Sequence, residues 1–401
     1  MNISPIKTAA EMATVQNENF LRDLAEIVAM DSGTYSIAGV ERVGDWFTTR
    51  FREYGWETGR LAASSFADCR TATLFGKGEA RLLLLGHMDT VYADGTAAAR
   101  PITVQGDVLR GPGTADMKAG LLTALYALRI LEKSGFTNFD RVVLFCNTDE
   151  EVSSPASRLL YLPIAAQSDV VFVFECAREN GDLVSARKGG GRYSIQVTGK
   201  SAHAGVAPET GANAIIQLAR LVDAADRLNG VRPGVTVNAG VINGGTRPNV
   251  VPDSAKAELD VRARDREGAE VVHSGLYALA EQITVPGTHV TLSGKFEALP
   301  MERTIGNARL AEIGTAVGKI LGFHVVDAPM TGGRSDANYV SSEVGLPVLD
   351  GLGPIGGADH SPEEYILVSS IPQRIALAAG IMATVCEQIE DIRRLRLMTT
   401  N

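Results

Sequence analysis

The sequence predicts an α/β fold: a mixed, mostly parallel β-sheet flanked by helices, with a smaller α+β domain inserted into the chain. Two patterns support this prediction. Four short apolar runs, of the kind found in strands covered on both faces, occupy residues 81–86, 141–147, 169–175 and 346–351. From residue 192 to residue 293, alternating strand-like segments replace the continuous apolar runs. A chain of 401 residues is long enough for both domains.

Helices are predicted before and between the first apolar runs. Apolar residues at helical spacing indicate helices over residues 15–29 and 37–54. Leucines recur on one helical face of residues 117–134, and Gly135 follows at the position of a C-terminal cap. Strand, helix and strand therefore follow one another, as a parallel sheet requires.

The middle of the chain has the order of a ferredoxin-like unit, β-α-β-β-α-β. Its predicted segments are a strand at 192–198, a helix at 211–228, strands at 234–242 and 255–262, a helix at 266–285 and a strand at 288–293. We therefore expect a first domain segment at 1–187, an inserted domain at 188–298, and the remainder of the first domain at 299–401. The last segment is expected to close with one amphipathic helix from 372 to 396.

The composition limits the classes of partner. With 38 basic and 47 acidic residues, the formal net charge is −9, and there is no dense basic cluster. This balance argues against nucleic acid and anionic membranes and favours a small molecule or a peptide. No apolar stretch has membrane-spanning length, the N-terminal residues lack a signal-peptide pattern, and the four cysteines are scattered. A cytoplasmic, reducing location is the expectation.

Polar residues with metal-ligand chemistry stand just beyond the apolar runs. Ligands of open α/β sheets collect at the carboxyl ends of the strands, so these separate segments can converge on one crevice. The residues concerned are His87, Asp89, Glu150, Glu151, Glu175 and His360, with Asp116 added from the start of the helix that follows the first run.

Imidazole and carboxylate side chains suit zinc or a neighbouring transition metal. If one carboxylate bridges two ions, five side chains can serve a pair about 3.5 to 4 Å apart, which could polarise a carbonyl and hold an attacking water. Each residue also has a structural interpretation: a single histidine after a strand is more often structural, and Asp116 alone would be a helix cap. The joint arrangement favours the metal site.

The motifs around these residues resemble the di-zinc aminoacylase and carboxypeptidase family, which includes acetylornithine deacetylase, succinyl-diaminopimelate desuccinylase and the glutamate carboxypeptidases. The resemblance covers nearly the whole chain, and its first and third motifs lean toward the glutamate carboxypeptidases. The motifs, in the order of the family, are GHMDTVY, GPGTADMKAG, NTDEE, GKSAHAG and ADHSPEEY.

The resemblance implies a zinc-peptidase-like catalytic domain with an inserted lid and dimerisation domain, and two Zn²⁺ ions, with Co²⁺ or Mn²⁺ as alternatives. One ion would be held by His87, Asp116 and Glu175, and the other by Asp116, Glu151 and His360. Glu150 would be the general base, since a carboxylate that binds no metal can carry the proton. Asp89 would fix the tautomer of the first histidine.

The resemblance also implies roles for residues of the inserted domain. His203 would reach the active site of a partner subunit and stabilise the tetrahedral oxyanion, so a homodimer formed through this domain is expected. Asn249 and Arg262 correspond to lid residues that meet the substrate. Arg334, from the TGGRSDA loop, is assigned to the substrate with less support, because glycines beside a charged residue also describe an exposed turn.

The function implied is hydrolysis of an amide bond next to a free carboxylate, in a small peptide or an N-acyl amino acid. The first expectation is a zinc carboxypeptidase releasing a C-terminal residue such as glutamate; the alternatives are an N-acyl-amino-acid deacylase and a catalytically silent peptide-binding homologue. The sequence departs from the glutamate carboxypeptidases at one position: Lys295 stands near the place where an arginine for the glutamate side chain is expected, and a lysine cannot reproduce the bidentate fork of arginine. A GxGxxG spacing at Gly351 opens no helix, and no GxSxG serine motif is present.

Overall fold

The computed structural model of the protein describes residues 3–398, with side chains described for residues 6–395. Its contacts divide the chain into two compact units. The first unit contains the residues up to Ala186, Arg303–Thr331 and the residues from Ser335 onward. The second contains Arg187–Glu302 and Gly332–Arg334. The contacts therefore place Arg334 in the second unit, whereas the sequence-based division had put residues 299–401 together.

The first unit is built from a long N-terminal half and a shorter C-terminal half. Its elements in the N-terminal half are α1 (Ile3–Val15), α2 (Asn17–Val28), α3 (Ile37–Glu53), β1 (Glu57–Leu61), β2 (Cys69–Phe75), β3 (Arg81–His87), α4 (Thr96–Ala99), β4 (Thr103–Gln105), β5 (Val108–Arg110), α5 (Ala119–Lys133), β6 (Arg141–Asn147), α6 (Arg158–Ala166) and β7 (Val170–Val173). The elements of the second unit, which follow in the chain, are β8 (Gly189–Thr198), α7 (Ala214–Asp226), β9 (Thr236–Gly244), β10 (Ser254–Ala263), α8 (Arg266–Ala280) and β11 (His289–Ala298). The C-terminal half of the first unit has α9 (Ile305–Leu321), α10 (Asp336–Tyr339), β12 (Val348–Leu349), β13 (Gly356–Gly357), β14 (Tyr365–Leu367), α11 (Ser370–Glu387) and α12 (Ile389–Met398).

The main sheet of the first unit has six strands in the order β1-β2-β6-β3-β7-β12. Strands β6, β3, β7 and β12 are parallel to their neighbours within this group, while β2 is antiparallel to β6 and β1 is antiparallel to β2. The predicted mixed, mostly parallel sheet is thereby confirmed. A separate four-stranded sheet, in the order β13-β14-β5-β4, lies in the same unit.

Buried apolar side chains hold the helices against the main sheet. β3 and β6 bury every residue after their first, because helices cover both faces of a parallel sheet. α5 is likewise buried along almost its whole length, and α11 packs against α1, α5 and α9. Because the strands are apolar along their length, the polar residues lie at and beyond the strand ends.

The second unit is a four-stranded antiparallel sheet in the order β11-β8-β10-β9, with α7 and α8 packed on the sheet. Its chain order, β8-α7-β9-β10-α8-β11, is the predicted β-α-β-β-α-β order, and the ferredoxin-like class is confirmed. Apolar residues at alternate positions of β8 and β10 face the two helices and form a separate core. Asn213 and Asp265 cap the starts of α7 and α8 with their side chains.

Several elements of the first unit differ from the sequence-based prediction. The single amphipathic helix predicted at 372–396 is two helices, α11 and α12, and α11 is buried on nearly all sides rather than along one stripe. The unpredicted elements are the helices α1, α4 and α6 and the strands β1, β2, β4, β5, β13 and β14. Strand β2 pairs antiparallel to β6 and is buried at five of its seven positions. It therefore lacks the alternation of buried and exposed residues by which an antiparallel strand is usually predicted.

No described helix is both long and apolar enough to cross a membrane. The four cysteines, Cys69, Cys146, Cys176 and Cys386, are free and buried. Burial raises the pKa of the Cys146 thiol and of the Cys176 thiol, so neither is activated as a nucleophile by its surroundings.

Candidate metal centre

The candidate site lies at the carboxyl ends of the parallel strands. Strand β3 lies between β6 and β7 in the main sheet. After β3 the chain adds β6 on one side and then β7 on the other side, so the strand order reverses at β3. Crevices at such reversal points are where open α/β sheets bind ligands. His87 is the last residue of β3, and Glu150 and Glu175 follow β6 and β7 by three and two residues.

Asp116 reaches the same place from a turn that precedes α5. The backbone there leaves helical geometry, with φ −121° and ψ 92° at Asp116, and the peptide bond to Met117 is cis. The Asp116 side chain therefore does not cap the helix. It points instead to two histidines that lie on either side of it.

The two carboxylate oxygens of Asp116 face two different groups of side chains. Oδ1 lies 3.0 Å from His87 Nε2, and that nitrogen is 3.8 Å from Glu175 Oε1. Oδ2 lies 3.0 Å from His360 Nε2, and that nitrogen is 3.2 Å from Glu151 Oε2. The potential donors thus form two sets that share Asp116.

The donor set fits divalent cations. A tetrahedral zinc site with bonds of about 2.0 Å separates its ligands by about 3.3 Å, which is the range of these spacings. Glu151 Oε1 is buried without a hydrogen-bond partner among the described residues, and an unpaired carboxylate oxygen is costly unless a cation meets it. His87, Asp116 and Glu151 offer ligand atoms within 4.8 Å of one another.

Burial, hydrogen bonds and neighbouring charges shift the pKa values of the site residues. Burial raises the pKa of Glu151 to about 7, with the charge of Asp116 acting in the same direction. Burial also raises the pKa of Glu150 well above its usual value and outweighs the charge of His87. For His360, hydrogen bonds to Asp116 and Glu151 raise the pKa to about 11. Bound cations would stabilise this excess of carboxylates.

Asp89 organises the site through its main chain and its side chain. The nearer acceptor for His87 Nδ1 is the Asp89 carbonyl oxygen, at 2.9 Å, while the Asp89 carboxylate lies 3.4 Å from the same nitrogen. The tautomer is therefore set mainly by the backbone, which leaves Nε2 facing Asp116. The Asp89 carboxylate accepts the backbone N–H groups of Glu150 and Glu151, at 3.2 and 3.3 Å.

The acidic NTDEE loop is held from both ends. Asp149 is fully buried and accepts hydrogen bonds from the Ala156 amide, at 2.8 Å, and from the Ser157 hydroxyl, so it is a supporting residue. Behind the loop, buried Asp336 accepts from Asn147 Nδ2 and from the Ser154 hydroxyl, each at 2.5 Å. Asp336 lies in the TGGRSDA loop, where only the arginine had been singled out.

Glu364 is a second residue that the sequence analysis missed. Its buried carboxylate accepts the amides of Gly113, Ala115 and Asp116 at 2.8, 2.7 and 3.0 Å, and the Tyr92 hydroxyl at 2.8 Å. It therefore joins the segment after β3, the turn that carries Asp116 and the segment that carries His360. His360 itself has a left-handed backbone, φ 62°, a conformation that non-glycine residues keep where the surrounding structure requires it.

The second unit brings two of its predicted residues together. The Ala204 amide donates to the Asn249 carbonyl oxygen at 3.0 Å, so the loops that carry His203 and Asn249 are paired. His203 is exposed, and its Nδ1 accepts from the Gly205 amide at 3.2 Å. A neutral ring in this arrangement carries its proton on Nε2, which leaves a hydrogen-bond donor facing outward.

The two predicted substrate arginines lie side by side but already have carboxylate partners. Arg262 donates from Nε and Nη2 to the two oxygens of Asp260, at 2.7 and 2.8 Å. Arg334 donates to Glu297 at 2.6 Å. A Cβ added at Gly190 would meet both arginines at 2.9 Å, so this glycine gives them room. One edge of the Arg262 guanidinium, Nη1 and Nη2, remains available for a second carboxylate.

Comparisons with known proteins identify the family of the chain. The sequence model of Peptidase family M20/M25/M40 matches residues 83–384. Carboxypeptidase G2 of Pseudomonas sp. strain RS-16 is 30% identical over 376 residues, 93% of this chain and 90% of that protein. Succinyl-diaminopimelate desuccinylase of Dinoroseobacter shibae is 27% identical over 359 residues, 80% of this chain and 91% of that protein.

A solved structure shows the same fold. The dinuclear metal binding peptidase of the M20 family from Bacillus subtilis superposes with a TM-score of 0.71, at 13% identity, over 93% of this chain and 99% of that chain. The family match at residues 83–384 runs from strand β3 into the buried helix α11. The chain belongs to Peptidase family M20/M25/M40.

Proposed function

We propose that this protein is a two-metal amide hydrolase that releases a C-terminal amino acid, such as glutamate, from a small peptide or an N-acyl amino acid. The observation that carries this proposal is the sharing of Asp116 between two donor sets, one with His87 and Glu175 and one with His360 and Glu151. The similarity to carboxypeptidase G2 favours the carboxypeptidase form.

Zn²⁺ is the proposed occupant, with Co²⁺ and Mn²⁺ as alternatives that accept the same ligands. When bound, a pair of such ions supplies Lewis-acid polarisation of the amide carbonyl and lowers the pKa of water. The proposed ligands are His87, Asp116, Glu151, Glu175 and His360.

Glu150 is the proposed general base. It stands three residues after the end of β6 and next to the proposed ligand Glu151 in the chain, and neither donor set uses its carboxylate. The carboxylate takes a proton from the attacking water and delivers it to the leaving amide nitrogen, which departs as an amine. Asp89 keeps Glu150 in place by accepting its backbone N–H.

The second unit supplies the proposed recognition residues. The outward Nε2–H of His203 would donate to the oxyanion that forms when water adds to the carbonyl carbon. Asn249 would hold the substrate beside it, and the free edge of Arg262 would take the substrate carboxylate, with Arg334 next to it. Lys295 is exposed on β11, opposite Arg192, and offers a point charge rather than a fork.

We propose that the protein is a homodimer joined through the second unit, with His203 of each subunit serving the site of the other. Strand β9 has no partner on its outer edge in the sheet of this unit, and Val241 and Ile242 on this strand are 51% and 58% exposed. Ile216 on α7 is 43% exposed. An unpaired edge beside exposed aliphatic side chains is what a second copy can cover.

A hydrolysis panel tests the proposal. The protein would be incubated with C-terminal glutamyl peptides, folyl-glutamates and N-acyl amino acids, and release of the free amino acid would be measured with Zn²⁺ and after removal of metal by a chelator. We expect release that is lost with the chelator and restored by Zn²⁺, Co²⁺ or Mn²⁺. Chelator-resistant release, or no release from any substrate by metal-loaded protein, would contradict the proposal.

Deacylation of N-acyl amino acids is the second candidate, favoured by the similarity to the desuccinylase. Faster release from acetyl- and succinyl-amino acids than from peptides and folyl-glutamates would select it. The metal donors serve both reactions, since each cleaves an amide beside a carboxylate. A silent peptide-binding role would show as substrate binding to the metal-loaded protein without any turnover.

A further inference from the structure

A polar cavity of about 430 Å³ lies in the first unit between helix α3 and strand β1, the outermost strand of the main sheet. Helix α3 contributes four lining residues with the spacing i, i+3, i+4 and i+7, which is one helical face: Asp45, Thr48, Thr49 and Arg52. The strands contribute residues 58–60 and Arg70. None of these residues belongs to the candidate metal centre. The volume is within the range of roughly 300–1,000 Å³ that is typical of small-molecule sites.

Two of the lining arginines are held side by side. Arg60 and Arg70 are direct cross-strand partners in the antiparallel pair of β1 and β2, a position in which like charges repel. Glu41 offsets the repulsion by pairing with Nη2 of Arg70 and, at 3.1 Å, with Nη2 of Arg60, and Asp68 accepts from Arg60 Nε at 2.6 Å. Neither carboxylate lines the cavity, so the arginine pair is fixed from outside it.

The cavity has hydrogen-bond donors that no described residue uses. The Arg52 side chain is exposed and forms no ion pair or hydrogen bond with the described residues. The same holds for the Thr58 hydroxyl and for Nη1 of Arg60. Donors from a helix and from the facing strand are therefore available to one ligand.

The charge of the cavity favours an anion. Its wall has three arginines and one carboxylate, that of Asp45, although the chain as a whole has a net charge of −9. Asp45 Oδ1 accepts from Arg70 Nη2 at 2.9 Å, so this carboxylate neutralises the arginine that is already buried. Arg52 and Arg60 remain for a ligand. Two guanidinium groups and a hydroxyl suit the several oxygens of a phosphate group better than the two of a carboxylate.

Two threonines on the helical wall offer the opposite kind of contact. The Thr48 hydroxyl donates to the Gly44 carbonyl oxygen at 2.8 Å, and the Thr49 hydroxyl donates to the Asp45 carbonyl oxygen at 2.9 Å. Because each hydroxyl has already given its proton to the helix, only its lone pairs remain for a ligand. Hydroxyl groups of the ligand can donate to them.

We propose that this cavity binds a small phosphorylated molecule that also carries hydroxyl groups. Arg52, Arg60 and Thr58 donate to the phosphate group, and the Thr48 and Thr49 hydroxyls accept from the rest of the ligand. The site is separate from the proposed hydrolysis and does not depend on it.

Calorimetric titration of the metal-loaded protein with glycerol 3-phosphate and with inorganic phosphate tests the inference. We expect glycerol 3-phosphate to bind more tightly than inorganic phosphate, and Arg52→Ala to weaken its binding at least about tenfold, since charge-assisted hydrogen bonds are lost. Asp45→Asn should have the opposite effect and tighten binding by about two- to fivefold, because it removes the acidic group from the wall. Arg42→Ala is the matched control, because Arg42 is exposed on the same helix and does not line the cavity.

A second titration, after removal of metal by a chelator, separates this cavity from the candidate metal centre, since phosphate also binds metal ions. Binding that depends on Arg52 should survive the chelator. Equal affinities in the wild type and Arg52→Ala, or the loss of all binding with the chelator, would overturn the inference. Inorganic phosphate bound as tightly as glycerol 3-phosphate would overturn the assignment of a phosphorylated molecule with hydroxyl groups.

Discussion

The proposed metal donors of the first unit and the proposed recognition residues of the second unit differ in whether their polar groups already have partners. In the first unit, side chains from separate segments converge on Asp116, and Glu151 keeps a buried carboxylate oxygen without a partner among the described residues. In the second unit, Arg262 and Arg334 are already paired with acidic residues. The first arrangement is preorganised for cations, and the second must share or exchange its partners when a carboxylate arrives.

The largest effect is expected from breaking the shared donor. Asp116→Asn removes the charge that both donor sets use, so the protein should lose both ions and all measurable turnover. Metal content after dialysis against limiting Zn²⁺ checks this. The matched control is Asp169→Asn, a buried carboxylate that accepts the Arg81 amide at the start of β3, away from the site. Two ions retained by Asp116→Asn would contradict the shared-donor account.

The next effect belongs to the exposed histidine of the second unit. His203→Ala should lower kcat by about 10²–10³, the usual loss of an oxyanion donor, with metal content unchanged. If His203 acts across a dimer, mixing this variant with Glu150→Gln should restore about one quarter of wild-type activity, because half of the dimers are hybrids with one intact site. Verified subunit exchange without recovery would assign His203 a role within its own subunit.

A smaller effect tests whether one buried carboxylate keeps the cluster preorganised. Glu364→Gln replaces one accepting oxygen with an NH₂ group, so either the Gly113 amide and the Tyr92 hydroxyl or the Ala115 and Asp116 amides lose their acceptor. We expect Zn²⁺ affinity to fall by about 10- to 100-fold. Competition with a fluorescent chelator measures it. Tyr92→Phe removes a single donor and should weaken affinity less; wild-type affinity in Glu364→Gln would show that the turn holds its geometry without this residue.

The smallest effect concerns the arginines of the second unit. Arg262→Lys keeps the positive charge but loses the fork, so KM should rise by about tenfold while kcat changes little. Steady-state kinetics with substrates that carry or lack the free carboxylate would show whether the change depends on that group. An equal change for both substrates would mean that Arg262 acts only through Asp260 as part of the sheet.

Residues at strand ends were the part of the site that the sequence could predict. His87, Glu150 and Glu175 each follow an apolar run, and parallel strands must deliver such residues to one edge. The short motif around His360 was recognisable as well. Of the proposed metal donors, His87 and Glu175 have positions that follow from the direction of the strands, whereas Asp116 and His360 were assigned from their motifs.

Glu364 and Asp336 could not be predicted by the same reasoning. Their partners are backbone amides and polar side chains up to 272 residues away in the chain, and no local pattern reports such bonds. Strand β2 was missed for a related reason, since burial on both faces hides the alternation of an antiparallel strand. The pairs that occupy Arg262 and Arg334 likewise depend on strand register and loop position.

The central claim is that the shared donors bind two ions while Glu150, although next to a ligand, binds none and moves the proton. The most direct measurement is metal stoichiometry and single-turnover rate for Glu150→Gln. We expect two equivalents of Zn²⁺ at wild-type affinity and a rate lower by about 10²–10⁴, the usual contribution of a general base. A near-normal rate with both ions bound, or the loss of an ion, would contradict the account.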